Sequence, residues 1–358
     1  MRDTCARDLD VKETGGNLLD KLSRFPQFSL LDGSTPLQRL ARLEVLFSKQ
    51  LGSTRLFVKR DDHMALGGGG NKVRKLEFLI GEALAQGADT LMTVGGLQSN
   101  HARLTAAAAA KAGLACELVL SQMVPRDGVD YIRGGNVLLD RLFGARVVTL
   151  SPGEDRDAFL QARVAELAAG GRKVHFAPTG GSSPVGCLGY AQCAAEILRQ
   201  ADERGVKISE IVLPNGSSGT HAGLLAGLAA MGASVPVRAH AVLATREVTV
   251  AATLEKARAT AALLDTDVQE ADVVVDDAQR GDGYGLPTDE MRTAVRLLAR
   301  TEGLLLDPVY SGKAFAGFLH DIRRGTYHDA GDVVFLMTGG TPGLFAYRLE
   351  FDEEGLPG

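Results

Sequence analysis

Thr90-Leu91-Met92-Thr93-Val94-Gly95-Gly96-Leu97-Gln98-Ser99-Asn100-His101 reads as a strand, a glycine turn and the start of a helix. Thr90–Val94 is a short apolar run, and Ser99–Ala112 is an Ala-rich helical stretch that Ser99 or Asn100 suits as N-cap. Working outward, Cys116–Leu120 is the next strand. Upstream, Val73, Leu76, Leu79, Ile80, Ala83 and Leu84 recur at helical spacing, Gly87 suits the C-cap, and Leu56–Lys59 is a strand. Later, the strand Glu210–Leu213 precedes a helix over His221–Met231, and Asp332–Met337 is a late buried strand. Ala257–Val275 reads as surface helix and loop. This alternation predicts an α/β fold with a mostly parallel sheet and helices on both faces.

Composition narrows the function classes. The 358 residues are 45% hydrophobic and 23% charged, as in an ordinary globular chain, which rules out wholesale disorder. With 39 Lys plus Arg against 44 Asp plus Glu, the net charge of −5 offers nothing to nucleic acid or an anionic membrane. The apolar tract near Leu104–Leu120 is interrupted by Lys111 and Glu117, so no membrane span is expected. Cys5, Cys116, Cys187 and Cys193 form no CxxC pair, and MRDTCARDLD is no signal peptide. A cytoplasmic protein without disulfides or a metal is expected. The 43 glycines, about 12% against a usual ~7%, point to many tight turns, as around a bound anion.

Three of those turns lie between strand and helix, where open α/β sheets bind ligands. Gly67-Gly68-Gly69-Gly70-Asn71-Lys72 is not a P-loop, because Asn71 precedes the lysine and no Ser or Thr follows it. At a helix start the macrodipole disfavours the Lys72 ammonium, which suits Schiff-base chemistry. The same string also reads as a flexible loop before a solvated basic turn. Ser99-Asn100-His101 is either a plain helix cap or a carboxylate site at a helix N-terminus. Asn215-Gly216-Ser217-Ser218-Gly219-Thr220 suits a phosphate group, or is a simple βα connection. Its spacing is not that of a nucleophile elbow. A lysine, a phosphate cradle and an anion pocket on one frame suggest pyridoxal 5'-phosphate.

Eight motifs in order carry a wider resemblance: Ser34-Thr35-Pro36-Leu37, Lys59-Arg60-Asp61-Asp62, Gly69-Gly70-Asn71-Lys72 with Arg74-Lys75-Leu76-Glu77, Gln98-Ser99-Asn100-His101, Gly216-Ser217-Ser218-Gly219-Thr220, Gly283-Tyr284-Gly285, Leu306-Asp307-Pro308-Val309-Tyr310-Ser311-Gly312-Lys313 and Thr338-Gly339-Gly340. From Arg24 to Tyr347 the chain resembles the pyridoxal-phosphate enzymes of the D-cysteine desulfhydrase and 1-aminocyclopropane-1-carboxylate deaminase group. The first ~20 residues look like an extension without a counterpart. The resemblance implies a fold-type II homodimer with two open, twisted, mostly parallel sheets and flanking helices. A small domain, 76–185, is inserted into a large cofactor domain made of 1–75 and 186–358. It implies that Lys72 holds the cofactor covalently, that Asn100 sits beside the ring hydroxyl, and that Gly216, Ser217, Ser218, Gly219 and Thr220 bind the phosphate. Ser99, Asn100 and His101 resemble the substrate side, and Tyr284 and Tyr310 the two active-site tyrosines. Lys72, Ser99, Tyr284 and Tyr310 are the catalytic candidates.

The group's cyclopropane deaminases carry glutamate directly after Pro-Val-Tyr and leucine before the last Gly-Gly. Here these positions are Ser311 and Thr338, both read as neighbours of the cofactor ring. A hydroxyl makes the ring a weaker electron sink than a carboxylate does, and β-elimination tolerates that because the electrons leave with the β-substituent. The implied activity is a carbon–sulfur lyase that converts D-cysteine, a small amino acid, to pyruvate, ammonia and sulfide. Alternatives are an L-cysteate sulfo-lyase, for whose sulfonate Arg103 or His101 are candidate donors, the cyclopropane deaminase, and a non-catalytic binder of a phosphorylated ligand.

Overall fold

A computed structural model describes residues 18–151 and 153–352. Cys5 and nearly all of the expected N-terminal extension lie outside the described residues. Among the described residues ten strands form two sheets. The larger has the order β1-β2-β10-β7-β8-β9, with β1 Leu37–Arg39, β2 Arg55–Arg60, β7 Ile208–Asn215, β8 Val237–Ala241, β9 Val274–Asp276 and β10 Asp332–Met337. Only β1 is antiparallel, and it sits at an edge. The smaller sheet, β5-β4-β3-β6, is parallel throughout, with β3 Thr90–Gly96, β4 Ala115–Ser121, β5 Arg146–Leu150 and β6 Val174–Ala177. The expected strands and helices are present. The alternation of elements predicted the parallel pairing, but not its division into two sheets.

The central strands are continuous apolar runs because both faces are covered. All six residues of β10 are buried, and Val333, Val334, Phe335 and Leu336 are fully inaccessible. Helix Lys72–Ala85 ends with Gln86 as its cap, and Gly87 follows at φ +71°. One expectation fails. Ala257–Val275 is not surface throughout. Ala257, Thr260, Ala261 and Leu264 recur at helical spacing and are fully buried, and Val273 and Val275 are buried at β9. Small residues give that face little apolar character in the sequence, yet they let helix Arg246–Leu263 pack closely on helix Gly219–Ala230. Cys116, Cys187 and Cys193 are free and buried. No described helix is long and apolar enough to cross a membrane.

Parallel strands send their C-terminal ends to one edge of each sheet. The turns after β3, β7 and β10 and the glycine loop before Lys72 therefore meet around one cavity of about 280 Å³.

Candidate active site

Gly67, Gly68, Gly69 and Gly70 have φ of +59°, +81°, +78° and +130°, so the loop needs glycine to reach the first turn of helix Lys72–Ala85. Lys72 is half-buried at the cavity wall and donates a hydrogen bond to Asn71 Oδ1 at 3.1 Å. Asn71 in turn donates from Nδ2 to Thr220 Oγ1 at 3.0 Å, tying the lysine to the loop after β7. Burial first, and then the charge of Lys75, holds the Lys72 amine well below the usual lysine range, against the pull of Asp307. The neutral amine this favours is the nucleophilic form. Burial, rather than the helix dipole expected from sequence, is the leading cause.

The solvated basic turn that the sequence also allowed is absent. Arg74 and Lys75 are buried. Lys75, one turn along from Lys72, donates to Ser182 Oγ at 3.1 Å and to Gly180 O at 3.2 Å. Ser182 Oγ lies 2.8 Å from Ser217 Oγ, so a buried ammonium backs the loop after β7. Burial lowers the Lys75 pKa to about 8. Within this loop Asn215 Oδ1 accepts from Ser218 N at 3.1 Å, and Ser218 adopts φ +69°. Helix Gly219–Ala230 starts there, with its first N–H groups unpaired within the helix. A Cβ on Gly219 would lie 2.4 Å from Ser182 Oγ and 2.7 Å from Lys75 Nζ. Backbone donors, two serine hydroxyls and a buried lysine form a cradle for an anion, and they fit the phosphate of pyridoxal phosphate.

On the opposite wall Ser99 caps helix Asn100–Ala112, accepting from Ala102 N at 3.1 Å while also lining the cavity. Capping and site-lining are thus compatible. Asn100 lines the cavity and accepts from Asn136 Nδ2 at 3.0 Å. Thr93 Oγ1 gives its proton to Ala177 O at 2.7 Å, so His101 Nε2, 3.0 Å away, is the donor to Thr93. Burial and then the charges of Lys72 and Lys75 hold the His101 pKa well below the usual range, so the ring is neutral and offers no cation to a sulfonate.

Tyr284 and Tyr310 meet edge-on, with ring centroids 5.7 Å apart and hydroxyls 2.6 Å apart. Burial pushes both phenols up, so both stay protonated near neutral pH. One proton lies between the two oxygens, and the other is free to point elsewhere. Thr338, at the end of β10, lines the same cavity.

Ser311 and Gly219 do not line it. Ser311 is fully buried, donates to Asp307 Oδ1 at 2.6 Å and accepts from Asp307 N at 2.8 Å. Asp307 also accepts from the N–H groups of Val309, Tyr310 and Ser311, which fixes the turn carrying Tyr310. Arg103 is fully buried and bonds Gly69 O at 2.6 Å rather than lining the cavity. Arg156 lines it instead, after β5. Sequence reasoning missed Arg156, Asn71 and Lys75. Asn71 and Lys75 stood within the quoted motif around Lys72 without being given a role, and Arg156 had no signal in the sequence.

The family model for pyridoxal-phosphate dependent enzymes matches residues 28–339. D-cysteine desulfhydrase from Serratia proteamaculans (strain 568) is 40% identical over 339 residues, which cover 93% of this chain and 99% of the relative. The Salmonella typhi D-cysteine desulfhydrase is 41% identical over 333 residues, with 92% and 98% covered. Among solved structures, one described as an ACC deaminase homologue superimposes with TM-score 0.82 at 35% identity, covering 94% of this chain and 98% of its own. A fungal L-serine ammonia-lyase from Rhizomucor miehei, at TM-score 0.64 and 19% identity, shares the fold, covering 92% of this chain and 100% of its own. A lysine with a suppressed proton affinity, a cradle suited to an anion and full-length similarity agree: the chain belongs to the pyridoxal-phosphate-dependent enzymes, in the family of the D-cysteine desulfhydrases.

Proposed function

We propose that the chain catalyses β-elimination of D-cysteine, which with water yields pyruvate, ammonia and sulfide. The observation that carries this reading is the pairing, across one cavity, of the poorly protonated Lys72 amine with the Tyr284–Tyr310 hydroxyl pair. Lys72, Asn100, Thr338 and the loop Gly216–Thr220 would hold pyridoxal phosphate, which supplies an electron sink for the bond broken at Cα. The Lys72 amine takes the α-proton. Ser99 and the N–H groups at the start of helix Asn100–Ala112 bind the substrate carboxylate. The free proton of the tyrosine pair goes to the departing sulfur. Thr338 lines the cavity where the deaminases have leucine, and a residue with a hydroxyl at this position supports elimination over ring opening. Ser311 does not add to that argument, because Asp307 occupies its hydroxyl.

The test is a substrate panel. The protein is expected to form pyruvate from D-cysteine with a kcat/KM at least about tenfold above 2-oxobutyrate formation from 1-aminocyclopropane-1-carboxylate. Equal or greater deaminase activity overturns the reading. Arg156 supports one second reading, the sulfo-lyase, because a guanidinium at the cavity complements a β-sulfonate. Arg156→Ala is expected to lower kcat/KM for L-cysteate about three- to tenfold and to leave D-cysteine unchanged, since an exposed ion pair contributes modestly. L-cysteate turnover above that of D-cysteine moves the assignment to the sulfo-lyase.

Lys75 gives a pH signature. A phosphate dianion favours the ammonium form, and the free-protein pKa is about 8. Affinity for inorganic phosphate is therefore expected to be highest below that pH and to fall as pH rises through it, by up to about tenfold per pH unit. Calorimetry on the cofactor-free protein measures this, and Lys75→Met should flatten the profile. A wild-type profile already flat between about pH 7 and pH 9 removes Lys75 from the phosphate site.

We also propose the division into 76–185 and the flanking segments, supported by the confinement of β3–β6 to the inserted stretch. A homodimer is proposed as well. Exposed Leu138, Leu142 and Phe345, on two helices packed against each other, support it. Light scattering with Leu142→Glu and Phe345→Glu tests the assembly.

A further inference from the structure

Two helices face each other behind the cavity wall. Asn100 and Arg103 lie one turn apart on the first, and Asn136 and Asp140 lie one turn apart on helix Gly135–Leu142. The contact nearer the cavity is direct, from Asn136 Nδ2 to Asn100 Oδ1. The one behind it is open. Arg103 and Asp140 are both fully inaccessible, yet Arg103 Nε and Nη1, both carboxylate oxygens of Asp140, and Asn136 Oδ1 have no partner. Five unpartnered polar atoms on three buried side chains are far from ordinary, since buried polar groups are nearly always satisfied. The two charges still sense each other. Burial pushes Asp140 up to about 7 and Arg103 down to about 10, and each is opposed by the other's charge. Buried polar groups that the protein leaves unpaired are typically bridged by water.

We propose that internal water links Arg103 to Asp140 and Asn136, and that this hydrated pair is a positioning device for the glycine loop that presents Lys72. The four glycines of the loop have no side chains with which to anchor it, and Asn71 at its end is tied to Thr220 Oγ1. Its backbone is tied by Gly69 N to Leu66 O at 2.9 Å, by Asn71 N to Thr338 O at 3.0 Å, and by Arg103 Nη2 to Gly69 O at 2.6 Å. The Arg103 tie is the only one of the three made by a side chain, and Asp140 balances its charge. Arg103 touches neither the cavity nor Lys72, so it acts through the loop. The inference rests on the reading of Lys72 as the cofactor lysine.

The experiment compares Arg103→Leu, Asp140→Leu and the double variant, all loaded with pyridoxal phosphate. Asp140→Leu strands the buried Arg103 charge, Arg103→Leu leaves the Asp140 carboxyl buried without its counter-charge, and each is expected to lower Tm by roughly 5 °C and kcat by about 100-fold. The double change removes both charges and restores Tm, but it leaves Gly69 O without its donor. Its kcat should stay low, and the pH midpoint of the bound cofactor's visible absorption should move upward as water reaches Lys72. A kcat and midpoint that recover together with Tm show a merely structural pair and overturn the proposal. A wild-type crystal structure with a dry gap, or with a direct Arg103–Asp140 ion pair, overturns the water bridge even if the variants fail to fold. A borohydride-fixed adduct that persists in Lys72→Ala sinks the underlying reading instead, and the two failures are thereby distinguished.

Discussion

Lys72→Ala is expected to lower kcat by at least about 10⁴-fold, the scale seen when a covalent nucleophile and proton carrier is removed. The amine has one side-chain partner, Asn71 Oδ1, and sits at the cavity wall rather than in the packed core. Removing it therefore leaves Tm unchanged or slightly raised, since a buried amine is costly to keep. The expected protein folds, binds pyridoxal phosphate through the cradle after β7, and forms no borohydride-fixed adduct. Intact-mass measurement after borohydride reads this directly, and an adduct on the variant at wild-type yield assigns the cofactor to another lysine. Lys75 is the alternative that the geometry offers, so Lys75→Ala is the paired control. It should still form the adduct, with weaker phosphate binding.

Gly219→Val is expected to raise the dissociation constant of pyridoxal phosphate by about 100-fold, as loss of charge-assisted hydrogen bonds to phosphate would. The reason is local. The new Cβ would lie 2.4 Å from Ser182 Oγ and 2.7 Å from both Lys75 Nζ and Ser182 Cβ. These atoms must shift, and Ser182 is the link between the Lys75 ammonium and Ser217. Gly219 acts from behind the cavity without lining it, so the loss should fall on cofactor affinity. Excess cofactor should partly restore kcat. Equilibrium titration of cofactor-free protein measures the affinity, and an unchanged value would mean that the phosphate lies away from this turn.

The pattern of strands and helices was legible because each is a local property. Apolar runs such as Asp332–Met337 and helical repeats such as Val73–Leu84 follow from side-chain period alone. The three glycine turns were legible for a related reason, since the positive φ of Gly67–Gly70 and the close approach of other atoms to Gly95, Gly216 and Gly219 favour glycine. The Ala257–Leu264 face escaped notice because alanine and threonine signal burial weakly. The motif position of Ser311 says nothing of direction, and the structure turns its hydroxyl to Asp307.

By itself, then, the sequence determined an α/β chain, its glycine loops and the lysine that follows the first of them, because backbone preference and hydrophobic period act within a few residues. Only the tertiary structure decided which charges are buried and against what. Lys75 joins the cradle through Ser182, more than 100 positions away. Arg103 turns from the cavity to Gly69, while His101 and Arg156 both line it. Proton affinities such as that of Lys72 depend on desolvation and on neighbouring charges, and both come into being only when distant strands close around the site.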